Sequence, residues 1–446
     1  MRPVLFLVLA AATASTALAN PRNIVPGGAD AAKDGVEVVG TVDYEYEHDT
    51  STIWRESNDA AADPNGALPR HRDLGFSGDR HTITPKLELG VFHDTFVTVA
   101  LPVIVSQTHD LHLDNGVDRA GSSTVQSGIL PMAGYDARDP TTSPTGDLMF
   151  RGVERHGIDQ IHLGLGFAPM NQQRDDTKPT WKLGAELRLA IGQVMKFDPM
   201  APGSNSGVSS GVHELKLWTS FDRKLDWIEP WVEIFWQLPI ATTKDSLFQD
   251  PGFGTANIDK SQLAGVEFGA ELYAYDDPAD RNRISLDVGG KVTAHFEGRD
   301  YSEMWEAFAY AGDSRGMGPL VLDADPTKDG VQALSYPGIS SIENYLETAV
   351  KLRIRGEIGP HVRFAAGADL VWKTDHVITF ADAGIDLPTC GTGQSTHCET
   401  GSNDVINPGT AEVNPLHSST IDNVGHRYWS EDNFGVVVGV SGQVLF

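Results

Sequence analysis

Charged side chains occupy alternate positions in several segments of the chain, with mostly apolar residues between them. In residues 181–191, for example, Lys182, Glu186 and Arg188 share one face and a tryptophan, leucines and an isoleucine share the other. Acids and bases spaced in this way can line a water-filled passage and set its preference for cations or anions. They can equally pair with one another and serve only the structure. The lining candidates are Lys182, Glu186, Arg188, Glu267, Glu271, Asp287, Lys291, Lys351, Arg353, Arg355, Arg363 and Asp369.

A basic subset of these candidates could act together. Lys351, Arg353 and Arg355 share one face of a single segment, and Arg363 and Lys373 share a face of the next. A ladder of cations along a passage would guide an anionic solute by electrostatic attraction. The alternative is that acidic neighbours neutralise the ladder, which would leave it a structural role.

Catalysis has weaker support in the sequence. Hydrolysis of an ester would require a nucleophile held against a base. The candidates are His213 and the pair His417 and Ser418, but His213 has no evident partner and His417 falls in a connecting segment. We therefore predict that the chain is not an enzyme.

Two further sets of residues could bind a metal or close a loop. Asp323, Asp325 and Asp329 gather carboxylates in one connection, and calcium takes oxygen ligands of this kind. The segment lacks the Gly and Glu positions of an EF-hand loop, so a merely solvated acidic loop is the alternative, and no other cofactor is predicted. Cys390 and Cys398 are the two cysteines. In an exported chain they favour a disulfide, with metal ligation as the weaker alternative.

The alternation that spaces the charged residues has the period of a β-strand, in which successive side chains point to opposite faces. About twelve segments show it. The predicted strands are 36–48, 80–92, 95–106, 157–169, 180–192, 211–222, 229–240, 262–275, 283–297, 345–358, 362–376 and 427–446.

The connections between these strands alternate between long and short. Those at 107–156, 298–344 and 377–426 are long, whereas 93–94 and 359–361 are tight turns. Outer-membrane barrels place short turns at the periplasmic rim and long loops outside. The pattern predicts an all-β fold, a transmembrane antiparallel up-and-down barrel with both termini in the periplasm. A soluble sandwich can also alternate, but it has no reason to place every long loop at one end.

The N-terminal region has the composition of an export signal. Residues 1–19 hold one basic residue, an uncharged apolar run and a final small-residue triplet, which is typical of a signal peptide. We expect a short periplasmic segment at 20–35 and a single barrel domain at 36–446. No later uncharged stretch reaches the roughly 18 apolar residues that a spanning helix needs.

The net charge of −27 argues against nucleic acid as a partner, because nucleic acid is bound by neutralising its phosphates with Lys and Arg. Most of this negative charge lies in the long connections, where divalent cations could bridge it to anionic outer-leaflet lipid. Aromatic side chains near predicted strand ends suit the headgroup zone of a membrane, although aromatic residues favour strands in any case. They are Phe167, Trp181, Phe221, Trp227, Trp231, Trp372 and Trp429.

The last predicted strand has apolar residues at alternate positions from Phe434 onward and ends with Phe446. This pattern resembles the C-terminal assembly signal of bacterial outer-membrane β-barrel proteins, the class of porins and transporters. The resemblance implies recognition by the barrel-insertion machinery through the strand ending at Phe446, and residence among outer-membrane lipid and lipopolysaccharide. Within this class we predict a channel or transporter for passive passage of small solutes. A non-conducting structural, adhesion or partner-binding barrel is the alternative, and an enzyme of phospholipase type is a weaker third.

Overall fold

The computed structural model describes residues 25–26, 37–57, 68–248, 259–277, 279–323, 333–380 and 416–446. Within these residues the chain forms twelve antiparallel barrel strands. The first strand pairs with the last, from Val39 opposite Leu445 to Arg55 opposite Tyr428, so the sheet closes on itself. The predicted all-β up-and-down barrel is confirmed.

The strands follow one another around the barrel in chain order. β1 is Glu37–Glu56, β2 Arg70–Phe92, β3 Thr95–Ala100 continued by Val103–Leu113, β4 Arg155–Ile158 continued by Gln160–Met170, β5 Thr180–Ala190 and β6 Val212–Asp222. β7 is Ile228–Thr242, β8 Leu263–Asp277, β9 Asn282–His295 continued by Gly298–Asp300, β10 Ser340–Ile342 continued by Tyr345–Ile358, β11 Val362–Lys373 continued by His376–Thr379, and β12 Tyr428–Leu445.

The long connections contain short elements of their own. The described residues include two α-helices, α1 Ser123–Gln126 and α2 Trp305–Ala311, together with a 3₁₀ helix Pro202–Ser204. Short strands lie at Tyr135–Asp136, Leu148–Arg151, Leu322–Asp323 and Ala333–Leu334. None of the helices in the described ranges is long and apolar enough to cross a membrane.

The predicted strand bounds differ most from the structure in the first hairpin. β1 continues to Glu56 and β2 begins at Arg70, so the connection predicted at 49–79 shrinks to 57–69. This extension is mostly polar on both faces, yet its backbone pairing continues. Alternating hydrophobicity shows which face of a strand is apolar, but it does not show how far two strands stay hydrogen-bonded. The sequence pattern therefore did not predict the extension.

The two ends of the barrel differ, as the connection lengths predicted. One end, here called the turn end, carries the short turns, including His93 and Asp94, whose φ values of 39° and 60° are both positive as a type I′ hairpin turn requires. Both chain termini of the barrel meet there, since the Phe446 amide donates to the Val38 carbonyl and the Val38 amide donates to that of Phe446. The opposite end, the loop end, carries the long connections.

Burial in this barrel is the reverse of that in a water-soluble protein. In β10, Lys351 and Arg353 are 8% and 5% exposed, whereas the neighbouring Leu352 and Ile354 are 49% and 56% exposed. Charged residues are almost never buried in soluble domains unless they are paired. The inner face is therefore the polar one, and the outer face is a continuous apolar surface.

Exposed aromatic side chains mark both edges of this apolar surface. Phe167 and Trp227 lie at the turn end and Trp372 at the loop end, all exposed. Trp231 does not belong to this set, because it is buried on the inner face and donates through Nε1 to the Asp287 carboxylate at 2.9 Å. The prediction that Trp231 lies in the headgroup zone of a membrane is therefore wrong. A strand pattern gives the alternation of faces, but it does not show which aromatic ring turns inward.

At the loop end the long connections pack together into a cap, defined here as the described parts of residues 114–154, 298–339 and 416–427. The cap has an apolar core in which Phe308 of α2 contacts Phe380 and Tyr428 edge-on, with ring centroids 5.2 and 5.4 Å apart. Buried side chains of the strand ends, such as Ile53 and Leu74, belong to the same core. The cap is thus attached to the barrel by shared hydrophobic packing.

Candidate functional site

The barrel encloses two cavities that adjoin along its axis. The turn-end cavity has a volume of about 220 Å³ and the loop-end cavity about 390 Å³. Arg80, Asp159, Gln160 and Arg188 line both of them. These four side chains therefore form the boundary that a solute would cross in moving from one cavity to the other.

The structure places the predicted lining residues on the inner face. Lys182, Glu186, Arg188 and Arg355 line the turn-end cavity. The others lie mainly in the side wall formed by β8 to β11, where acids and bases alternate across neighbouring strands. The sequence pattern thus predicted the inward face of each strand correctly, but it did not predict which of the inward residues line a cavity.

The basic ladder is paired with carboxylates. Arg355 lies 2.8 Å from Glu271 and 2.9 Å from Asp287, and Arg353 lies 3.0 Å from Asp369. The two pairs of Arg355 are nearly inaccessible to solvent, and the pair of Arg353 with Asp369 is largely buried. Coulomb attraction is strong in such surroundings, but removal of one partner leaves an uncompensated charge. These contacts favour the alternative in which acidic neighbours neutralise the ladder over the one in which it guides anions.

The rest of the ladder is paired in the same way. Lys351 lies 2.9 Å from Glu267, and Arg363 lies 3.2 Å from Glu357. Lys291, which is 4% exposed, lies 3.3 Å from the Glu347 carboxylate. The β8–β11 wall is consequently a network of ion pairs that holds adjacent strands together.

This pairing predicts what happens when one carboxylate is neutralised. Asp369→Asn removes the negative charge that lies 3.0 Å from Arg353 and 3.8 Å from Lys351. Lys351 keeps its pair with Glu267, so the positive charge of Arg353 is the one left uncompensated. We expect the ratio of cation to anion permeability to fall several-fold, measured as the reversal potential across a salt gradient in a planar bilayer. Asp175→Asn, in an exposed short turn, serves as the control. An unchanged ratio for Asp369→Asn would mean that this wall does not contact the permeating ions.

Two inward aromatic rings lie flat against the wall of the turn-end cavity because the strand beside each carries a glycine. A Cβ atom at Gly166 would lie 2.2 Å from the Phe96 ring, and one at Gly184 would lie 2.3 Å from the Trp218 ring. Val25, from the segment before β1, belongs to the same buried cluster as Phe96, and Trp218 packs against this cluster. Neither ring was among the predicted lining residues.

A buried ion pair fastens the cap to the barrel wall. Arg155, at the start of β4, donates from Nε to the Glu306 carboxylate of α2 at 2.9 Å, and both residues are inaccessible to solvent. The same carboxylate accepts from the Val153 amide at 3.0 Å and lies 3.3 Å from His109. Sequence reasoning missed this pair, although the spacing of Trp305 and Phe308 within residues 305–311 is that of a helix with one apolar face.

Glu303 and Trp305 of the cap line the loop-end cavity together with strand residues of the wall. Lys260, in the connection before β8, lies 3.3 Å from Glu214 within this wall. Burial lowers the pKa of Lys260, but the carboxylates of Glu214, Asp300 and Asp159 together outweigh burial and raise the pKa above its ordinary value. Lys260 therefore stays charged and is held in an ion pair.

The remaining candidate residues contribute little to a site. His213 accepts the Ala190 amide at 3.0 Å, and His417 lies 3.6 Å from Asp422, to which the Ser418 amide also donates at 2.7 Å. Cys390, Cys398, Asp325, Asp329 and the side chain of Asp323 lie outside the described residues, as does the predicted signal peptide. The disulfide, calcium and export predictions stay predictions.

Comparisons with known proteins return solved structures only. No family model matches the chain, and no curated protein matches it. An outer-membrane channel from Pseudomonas putida F1 is 8% identical, with a TM-score of 0.40 over 92% of this chain and 95% of that one. A FadL homologue of Pseudomonas aeruginosa is 10% identical, with a TM-score of 0.33 over 92% and 90%. The outer-membrane protease OmpT of Escherichia coli is 5% identical, with a TM-score of 0.28 over 92% and 97%.

Proposed function

We propose that this protein spans a bacterial outer membrane and provides a passive channel for small solutes. The observation that carries the proposal is the pair of adjoining polar cavities inside a closed barrel whose outer surface is apolar. A continuous apolar surface of this extent is unstable in water but stable in hydrocarbon. A closed barrel also satisfies its backbone hydrogen bonds internally, as lipid requires.

The orientation follows from the two ends. Long connections lie outside in barrels of this type and short turns face the periplasm. The turn end, with both termini of the barrel, is therefore proposed to be periplasmic, and the cap faces the exterior. Acidic residues of the cap would then meet the anionic lipopolysaccharide through divalent cations.

Single-channel recording tests the proposal directly. The full mature chain is refolded in detergent and inserted into a planar bilayer with monovalent salt on both sides. We expect discrete conductance steps that are absent from a heat-denatured sample of the same preparation. A protein that is soluble without detergent would refute the membrane location, and an inserted barrel without current would refute the channel.

The cap supports a second candidate, a non-conducting barrel that binds partners through its loop end. Ser302, Glu303 and Trp305 of the cap line the loop-end cavity, and Arg155 and Glu306 fasten the cap to the wall. Insertion without conductance would favour this second function, especially if removing the cap contact did not produce current either.

We also propose that the strand ending at Phe446 is recognised during assembly. The Phe446 side chain is 77% exposed, so it adds little packing to the folded barrel. Phe446→Ala is expected to lower the amount of barrel in the outer membrane several-fold while leaving unfolding in detergent unchanged. Immunoblots of membrane fractions and urea titrations measure the two effects. Phe364→Ala, which removes another exposed aromatic ring from the same surface, is the control, and equal membrane levels for both variants would contradict the proposal.

A further inference from the structure

The loop-end cavity differs in charge from the turn-end cavity. Its wall includes eight aspartates and glutamates but only four lysines and arginines, which are Arg80, Arg188, Lys260 and Lys373. The turn-end cavity has six of each. The excess negative charge is therefore confined to the cavity beneath the cap, where a low-dielectric surround strengthens its field.

Glu303 is a carboxylate of the cap that adds to this excess. It accepts a hydrogen bond from the Ser430 hydroxyl at 3.1 Å. Among the described residues no lysine or arginine lies within ion-pair distance of it, whereas Asp49 lies 3.8 Å from Lys373 and Glu214 lies 3.3 Å from Lys260. Glu303 thus faces the cavity with its charge uncompensated by direct pairing.

Aromatic rings border the same space. Tyr301 and Trp305 meet edge to face, with centroids 4.9 Å apart, on the cap side. Tyr345 also lines the cavity and is stacked between His295 at 4.1 Å and His376 at 4.4 Å. Aromatic faces attract organic cations through the ring quadrupole, most strongly where water is excluded.

Six buried polar atoms on this wall have no hydrogen-bond partner in the part of the chain that the structure describes. Two of them, Ser51 Oγ and Asn433 Nδ2, belong to uncharged residues that are 7% and 6% exposed, so no ion pair compensates them either. Buried polar groups are nearly always satisfied in folded proteins, so these atoms call for a partner that the protein does not supply. This observation is independent of the charge count and points to a polar ligand.

From these features we infer that the loop-end cavity binds a small organic cation, a primary or quaternary ammonium compound. Its ammonium group lies against Glu303, and its apolar part contacts the rings of Tyr301 and Trp305. The volume of about 390 Å³ falls in the range of small-molecule pockets. The inference deepens the proposed function, because it names the solute class that the channel would hold on its way through.

Equilibrium binding in detergent tests the inference without requiring any current. The full refolded chain is titrated with choline and, separately, with 3,3-dimethylbutanol, which has the same shape but no charge. We expect choline to bind at least tenfold more tightly. Equal affinities would show a merely apolar cavity, and no choline binding at millimolar concentration would overturn the inference.

Substitutions in the wall of the loop-end cavity test whether choline binds there. Glu303→Gln is expected to weaken choline binding at least tenfold, and Trp305→Leu is expected to weaken it by a smaller factor. Glu154→Gln, which removes an exposed carboxylate from another connection, is the control and should bind choline as the parent does. Heat-modifiable mobility on gels verifies that each variant is folded. If Glu303→Gln is folded and retains the parent affinity, the site is wrong even if the barrel conducts, and choline binding without conductance would refute only the channel.

Discussion

Glu306→Gln is expected to open the loop end of the barrel and to raise single-channel conductance several-fold. The substitution leaves the Arg155 guanidinium buried without its counter-charge, and breaking such a pair costs about 3–5 kcal/mol. Because Arg155 belongs to the wall and Glu306 to α2, the cost is relieved when the cap moves away from the wall. Conductance in a planar bilayer and the rate of proteolysis in the cap both measure this release.

Two controls separate release of the cap from a general loss of stability. Glu154→Gln neutralises the exposed neighbour of Arg155 and should leave conductance unchanged. The double variant Arg155→Met with Glu306→Leu replaces the ion pair by apolar side chains of similar size, an exchange that is often neutral or stabilising. It should restore the parent conductance. A Glu306→Gln barrel with unaltered conductance and unaltered resistance to protease would show that this ion pair does not hold the cap closed.

Arg355→Met is expected to destabilise the barrel more than any other single substitution in the β8–β11 wall. Arg355 neutralises both Glu271 and Asp287, which are 1% and 2% exposed, so its loss leaves two buried carboxylates uncompensated. Breaking one buried ion pair costs about 3–5 kcal/mol, which is a large part of the free energy of unfolding of an ordinary domain. Urea titration of the refolded barrel, followed by tryptophan fluorescence, measures it.

Arg363→Met is the matched comparison, because Arg363 pairs with the single carboxylate of Glu357. We expect the urea midpoint of Arg363→Met to fall clearly less than that of Arg355→Met. The triple variant Arg355→Met, Glu271→Gln, Asp287→Asn removes the uncompensated charges and should recover most of the loss. Equal midpoints for Arg355→Met and the parent would mean that water reaches these carboxylates and compensates them.

The ion pairs and the cavities divide the interior between two tasks. Between β8 and β11 the charged side chains are used in pairs that join neighbouring strands, as Lys351 does with Glu267. Open space remains where the wall carries small or flat groups, as at Gly166 and Gly184 beneath aromatic rings, and beside Glu303 of the cap. This second part of the lumen holds the two cavities.

Much of the architecture was present in the sequence. Alternation of polar and apolar residues located the twelve strands, and the inward face of each followed from it, as at Lys351, Arg353 and Arg355. The lengths of the connections gave the two different ends. These features are local, because the period of a strand and the length of a turn depend only on residues that are close in the chain.

What the tertiary structure alone decided concerns residues that are distant in the chain. Arg155 and Glu306 are separated by 151 residues, and nothing in their surroundings in the sequence marks them as partners. The neutralisation of the basic ladder, the inward position of Trp231 and the cavity beside Glu303 likewise depend on which strands are neighbours and in what register. A local pattern states which face a side chain takes, but only closure of the sheet and packing of the cap determine what it meets there.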